Sequence, residues 1–280
     1  MSTITVTPSG AALGASVTGI DLTQPLDPGA VAAIRAAWLE HLVLAFPGQP
    51  MSHDDLERFT LYFGPFGDDP FIAPLPDRPR IIEVKREAHE KASVFAAAWH
   101  SDWSFQDTPP AATILHSKIT PPVGGDTLFC NGYAAYEALS DATRARIEGL
   151  QAVHSAALAY APDGVYGAMD GPDRSMTIRP DERARAARLH PVVKTHPETG
   201  RKTLFVNPGY VRTIDGLSEE EAFFLLIELY QAAHDERVVY RHVWEPDMLL
   251  MWDNRCTQHM ATGGYDGHAR LLHRTTVAGP

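Results

Sequence analysis

The chain is predicted to be mainly β with flanking helices, a two-sheet β-sandwich of jelly-roll type. Short runs rich in Val, Ile, Thr, Phe and Trp recur along all 280 residues, and Gly and Pro punctuate them. Only a few segments carry a helical apolar period. Many short strands following a few helices favour packed sheets over a parallel α/β core. With no linker-like stretch in between, residues 1–280 read as a single domain.

The first strands are Ile4 to Pro8 and Ala15 to Ile20, each bounded by Gly, Pro or Asp. Asp27-Pro28 supplies a helix N-cap with Pro at the first helical position, and Val31, Ile34, Ala37, Trp38 and His41 follow at helical spacing. Leu42 to Phe46, closed by Pro47-Gly48, is a buried strand. A helix opens at Ser52 and stops at Gly64-Pro65. After an Asp- and Pro-rich loop come a strand from Arg80 to Lys85 and one that Ala96-Ala97-Ala98 leads into at His100. Ala112 to Ile119 and Asp126 to Asn131 are strands around a Pro-Pro-Val-Gly-Gly turn. Short helices around Ala134 to Ala138 and Asp141 to Ile147 precede a strand from Leu150 to Ala156. Residues 161–188 turn rich in Gly, Pro, Asp and Arg, and a loop of that length is a candidate active-site lid. A hairpin pairs His190 to Thr195 with Lys202 to Asn207. Ser218 with Glu221 forms a capping box for a helix through Tyr230, and strands at Val238 to Trp244, Met248 to Trp252 and Ala269 to Val277 finish the chain.

Composition narrows the function classes. A net charge of -11 disfavours nucleic acid and anionic membranes as partners, because phosphate binding needs a basic surface. Cys130 and Cys256, the two cysteines, lie in no C-x-x-C pair, so two free thiols and a reducing cytoplasmic setting are expected. No signal-peptide pattern or apolar run of membrane-spanning length occurs.

The chemistry concentrates around Trp99-His100-Ser101-Asp102-Trp103. Placed at a strand end, His100 and Asp102 point the same way, and an imidazole and a carboxylate then face one point. Two His and one carboxylate with open positions suit a non-haem Fe(II) oxygenase, and His259 is the third ligand. With thirteen His in the chain, about one H-x-D triplet is expected by chance. The second triplet, His53-Asp54-Asp55, follows Ser52 at a helix start and reads as capping. Arg270 and Arg274 share one face of a late strand, and two inward Arg require two anionic groups.

The segments Trp99-His100-Ser101-Asp102, Gly124-Gly125-Asp126-Thr127-Leu128, Trp252-Asp253-Asn254 with Gln258-His259, and Arg270 with His273-Arg274 resemble those of the taurine dioxygenase and phenoxyacetate dioxygenase family. The likeness keeps its order along almost the whole chain. It implies a double-stranded β-helix (cupin-like jelly roll) and an enzyme using Fe(II), 2-oxoglutarate and O2. It also implies His100, Asp102 and His259 as catalytic metal ligands, Thr127 and Arg270 at the distal carboxylate of 2-oxoglutarate, and Arg274 at an acidic group of a small anionic substrate. Assembly as a homo-oligomer is implied in the same way. Where the taurine enzymes place a His, a Tyr and an Asn in the pocket, this chain has Asp69, Ile72 and Ala96, and Trp103 stands where Val is usual. Together with Trp252 these are candidate substrate-binding walls. The pocket is therefore expected to be more apolar than one built for taurine. Taurine dioxygenase activity proper, a zinc hydrolase and a non-catalytic acid-binding jelly roll are the competing readings.

Overall fold

In the computed structural model, residues 4–168, 170 and 173–280 are described. An eight-stranded sheet dominates, in the spatial order Thr5–Pro8, Ala15–Thr18, Val43–Phe46, Leu249–Asp253, Ala112–Ile119, Arg270–Val277, Arg78–Arg86 and Pro74–Leu75. Its central strand, Leu249–Asp253, is buried at every position. Alternation explains why that run is continuously apolar. Leu249 and Met251 pack with Ile34, Trp38 and Phe59 on the helical side, whereas Leu250 and Trp252 meet Phe129 on the other side.

Phe129 belongs to a three-stranded antiparallel sheet of Val239–His242, Thr127–Asn131 and Thr257–Ala261. A second three-stranded sheet joins Val211–Ile214, Gln151–Ser155 and Ala187–Pro191, and a hairpin pairs Val193–Thr195 with Lys202–Leu204. The helix Glu219–Ala233 buries Leu225, Leu226 and Leu229 in a separate cluster with Val206 and Ile214. The molecule is thus mainly β with helices, as its sequence predicts. No helix among the described residues is long and apolar enough to cross a membrane.

Helix starts follow local chemistry. Asp27 accepts from the Ala30 N–H to cap Pro28–His41, and Ser52 with Asp55 forms a reciprocal capping box for His53–Leu61. The second H-x-D triplet is therefore spent on capping. Ser218 and Glu221 repeat the box for Glu219–Ala233.

Three expectations differ from the structure. His100 makes a single bridge to His259 and then enters a turn, with Trp103 in the left-handed region at φ 48°, so no strand carries the first motif. Strands exist at Thr257–Ala261 and Val211–Ile214, where the sequence reading has none. The first of these starts Thr-Gln-His, whose buried polar side chains hide the strand from a hydrophobicity pattern. Residues 161–188 are not structureless: they contain a helical turn at Val165–Ala168, a 3-10 turn at Glu182–Arg185 and the start of Ala187–Pro191. Met169, Gly171 and Pro172 of this span lie outside the described residues.

Candidate metal centre and substrate cavity

Backbone pairing brings the first motif to the late His. His100 N–H donates to the His259 carbonyl at 3.0 Å and His259 N–H returns the bond at 2.8 Å. The rings then lie 4.2 Å apart between centroids. The tight turn after His100, and not strand alternation, swings Asp102 back to the same point. Ser101 anchors that turn by donating to the carbonyls of Asn254 and Thr257. The gap beside His100 is closed by Gly209, where a Cβ would come within 2.9 Å of the His100 Cβ.

His100, Asp102 and His259 are all buried, and their ligand atoms lie within 4.8 Å of one another. Asp102 Oδ1 is 3.6 Å from His100 Nε2 and 3.9 Å from His259 Nε2. The surrounding bonds leave those atoms free. The Ala98 carbonyl lies 2.8 Å from His100 Nδ1, which puts the proton there and leaves Nε2 as an acceptor. Thr113 donates to Asp102 Oδ2 at 2.6 Å, and Oδ1 stays turned to the two imidazoles. Burial, and after it the neighbouring His100, pushes His259 down to about 3, so its ring is the neutral, ligating form. Burial opposes the Asp102 charge, but the polar groups around it, the Arg274 guanidinium among them, outweigh it and hold the carboxyl well below the ordinary range. This donor set fits a divalent cation, and the sequence-predicted triad is assembled.

A second buried cluster, His196, Asp253 and Cys256, is not equivalent. Arg255 contacts Asp253 at 2.6 Å and His196 at 3.1 Å completes it, so a guanidinium already occupies the cation position.

Arg270 and Arg274 keep one face. Their strand pairs with Arg78–Arg86 without interruption, and the extra residue of a bulge lies in Ala112–Ile119 instead. Arg270 is 6% exposed, and no carboxylate pairs with it among the described residues. Its Nε lacks a hydrogen-bond partner, and burial lowers its pKa. A buried guanidinium left like this is built for an anion from outside the chain. Trp244 links the two residues expected at that anion: its indole N–H donates to Thr127 Oγ1 at 3.0 Å, and its ring lies 5.7 Å from the Arg270 guanidinium carbon.

The metal cluster opens on a cavity of about 430 Å³. His100, Asp102, Trp103, Ala96 and Arg274 line it, and so do three tyrosines absent from the sequence reading, Tyr160, Tyr166 and Tyr210. Tyr166 accepts from the Ala96 N–H at 3.2 Å, which ties the 161–188 segment to the cavity wall. Those tyrosines sit in loops and short helical turns with no local signal of a shared site. Asp69, Ile72 and Trp252 are not among the cavity walls. Ile72 packs behind Trp103 and Tyr160, and Trp252 packs in the core with its indole N–H on Asn254 Oδ1. Asp69 stands behind the wall, accepting from Arg274 Nη2 at 2.5 Å and from the Trp103 indole N–H at 2.7 Å.

Residues 5–276 match the model of the family described as taurine catabolism dioxygenase TauD, TfdA. The chain is 32% identical to an (S)-phenoxypropionate/alpha-ketoglutarate-dioxygenase of Sphingobium herbicidovorans, with 98% of this chain and 94% of that one covered. A crystal structure of a taurine dioxygenase from Burkholderia xenovorans superposes with a TM-score of 0.83 at 32% identity, covering 99% of this chain and 91% of that one. A structure of AAD-2 in complex with Mn(II) and N-oxalylglycine gives 0.79 at 30% identity, covering 99% and 98%. A likeness that spans the whole sheet framework and every segment of the His–Asp–His cluster leaves one assignment: the chain belongs to the taurine catabolism dioxygenase TauD, TfdA family.

Proposed function

We propose that the chain is an Fe(II)- and 2-oxoglutarate-dependent dioxygenase that hydroxylates a C–H bond of a small organic acid with a largely apolar body. One observation carries this reading: the buried imidazoles of His100 and His259 converge with the Asp102 carboxylate, and His100 and Asp102 line the wall of a cavity of about 430 Å³. In this reading residues 1–280 form one domain, and the eight-stranded sheet and the sheet bearing His259 are the two halves of a double-stranded β-helix.

His100, Asp102 and His259 hold the iron, and Arg270 with Thr127 receives the distal carboxylate of 2-oxoglutarate. Iron and 2-oxoglutarate, when bound, supply the oxidising chemistry, with O2 consumed and 2-oxoglutarate converted to succinate and CO2. The chain itself positions and shields. Thr113 and the Ala98 carbonyl fix the orientation of Asp102 and His100. Trp103, Tyr160 and Tyr166 exclude bulk water from the cavity, and Arg274 presents the cationic group nearest the substrate. A zinc hydrolase has no use for the unpaired Arg270, which favours the oxygenase.

Fe(II), ascorbate and 2-oxoglutarate supplied with a panel of aryloxy acids, alkyl sulfonates and alkyl sulfates should yield substrate-stimulated succinate. A hydrolysis product formed without O2 and 2-oxoglutarate would replace this reading with the zinc one.

A further inference from the structure

Arg274 is the only Lys or Arg among the described residues lining the cavity, and it is not a free cation. Its Nη2 lies 2.5 Å from Asp69 Oδ1, and its Nη1 lies 3.8 Å from Asp102 Oδ1. The guanidinium rests over Trp103, 5.1 Å from the ring centroid, and the Trp103 indole N–H donates to the same Asp69 oxygen. Side chains of Arg274 and Asp69 are 5% and 12% exposed, so water does little to screen the pair. When a divalent cation takes Asp102, Asp69 remains as the counter-ion of Arg274.

We propose that Asp69 is a specificity-determining residue that acts through Arg274. It holds the guanidinium over Trp103 and cancels its charge, so the cavity takes fully ionised substrates less readily than its arginine alone would allow. Selection then falls on the apolar body of the substrate, which meets Val94, Phe95, Ala97 and Val165 in the same cavity. The proposal rests on the oxygenase reading for what the cavity holds. Orientation alone does not call for a carboxylate: an Asn at position 69 offers the same acceptor oxygen to Arg274 and to Trp103. The negative charge is the one feature that Asp adds, and at this distance it competes directly with a substrate anion for the guanidinium.

The test is calorimetric binding of phenoxyacetate and its neutral isostere phenoxyacetamide to the full chain loaded with Mn(II) and 2-oxoglutarate. Asp69→Asn should bind phenoxyacetate about tenfold more tightly than the wild type, with phenoxyacetamide changed less than about twofold. Asp69→Glu, which keeps the charge, should retain the wild-type preference. In turnover the Asn variant should lower KM for an acidic substrate with kcat nearly unchanged. Asp69→Ser serves as a second neutral variant if the melting temperature of Asp69→Asn falls. Phenoxyacetate binding that is unchanged or weaker in the neutral variants, or equal tightening of both probes, would overturn the proposal. Loss of 2-oxoglutarate binding by the wild type in the same samples would instead count against the oxygenase reading.

Discussion

Replacing Arg270 by Met should separate folding from cosubstrate binding, because among the described residues no anionic group pairs with this arginine. Arg270 is 6% exposed, its Nε makes no hydrogen bond, and burial lowers its pKa. In the ligand-free protein it is therefore a cost, and Met keeps most of the buried stem while removing the desolvated charge. The free variant should melt at or above the wild-type temperature. Binding should change in the opposite sense. Leaving a buried carboxylate without its cation costs about 2–5 kcal/mol, or roughly 30-fold to several-thousand-fold in the dissociation constant for 2-oxoglutarate. At a 100-fold excess over its dissociation constant a ligand stabilises by about 2.7 kcal/mol, which for a chain of this size is a melting shift of about 5 °C. Thermal denaturation of Mn(II)-loaded protein with and without 2-oxoglutarate reads both effects together. The wild type should show that shift and Arg270→Met should lose it. A variant that retained 2-oxoglutarate affinity within threefold, or that lost several kcal/mol of stability without ligand, would refute the assignment of Arg270 to an external carboxylate.

Thr113→Val removes the hydroxyl that donates to Asp102 Oδ2 and should weaken divalent-metal affinity by about 10- to 100-fold while the fold survives; metal titration showing no change would remove Thr113 from the site. Gly209→Ala places a Cβ 2.9 Å from the His100 Cβ and 3.2 Å from the Trp99 carbonyl, so it should also weaken metal binding, and unaltered affinity would show that the loop yields freely. His154 is buried and held at about 3, by burial first and then by His190 and Lys194. Its folded pKa lies below the ordinary value near 6.5, so the unfolded chain gains the proton first and stability falls as pH drops from about 6.5 towards 3. Between pH 6.5 and 5 this residue should account for up to about 2 kcal/mol, and urea unfolding of His154→Gln should show a shallower pH slope than the wild type; equal slopes would contradict it.

Local chemistry made several elements legible in the sequence. Asp27-Pro28, Ser52 with Asp55 and Ser218 with Glu221 each mark a helix start through bonds that reach only three residues. The apolar run Leu249 to Trp252 marks a central strand because both of its faces are buried. The H-x-D triplet and the late His were legible as candidate ligands, yet the backbone that unites them was not. Its turn depends on Ser101 donating to carbonyls about 150 residues away, and Trp103 takes a left-handed conformation that no propensity favours. The Asp69–Arg274 pair spans 205 residues, so the neutralised guanidinium emerges only when the sheets close. The cavity tyrosines come from separate loops for the same reason.

His100, Asp102 and His259 are proposed to form one metal site together. Metal analysis of the wild type and of His100→Ala, Asp102→Ala and His259→Ala after anaerobic loading with Fe(II) tests it most directly, with circular dichroism as the check on folding. One tightly held iron per wild-type chain is expected, with its loss from all three variants and the fold retained. Full iron content in any one of the folded variants would contradict it.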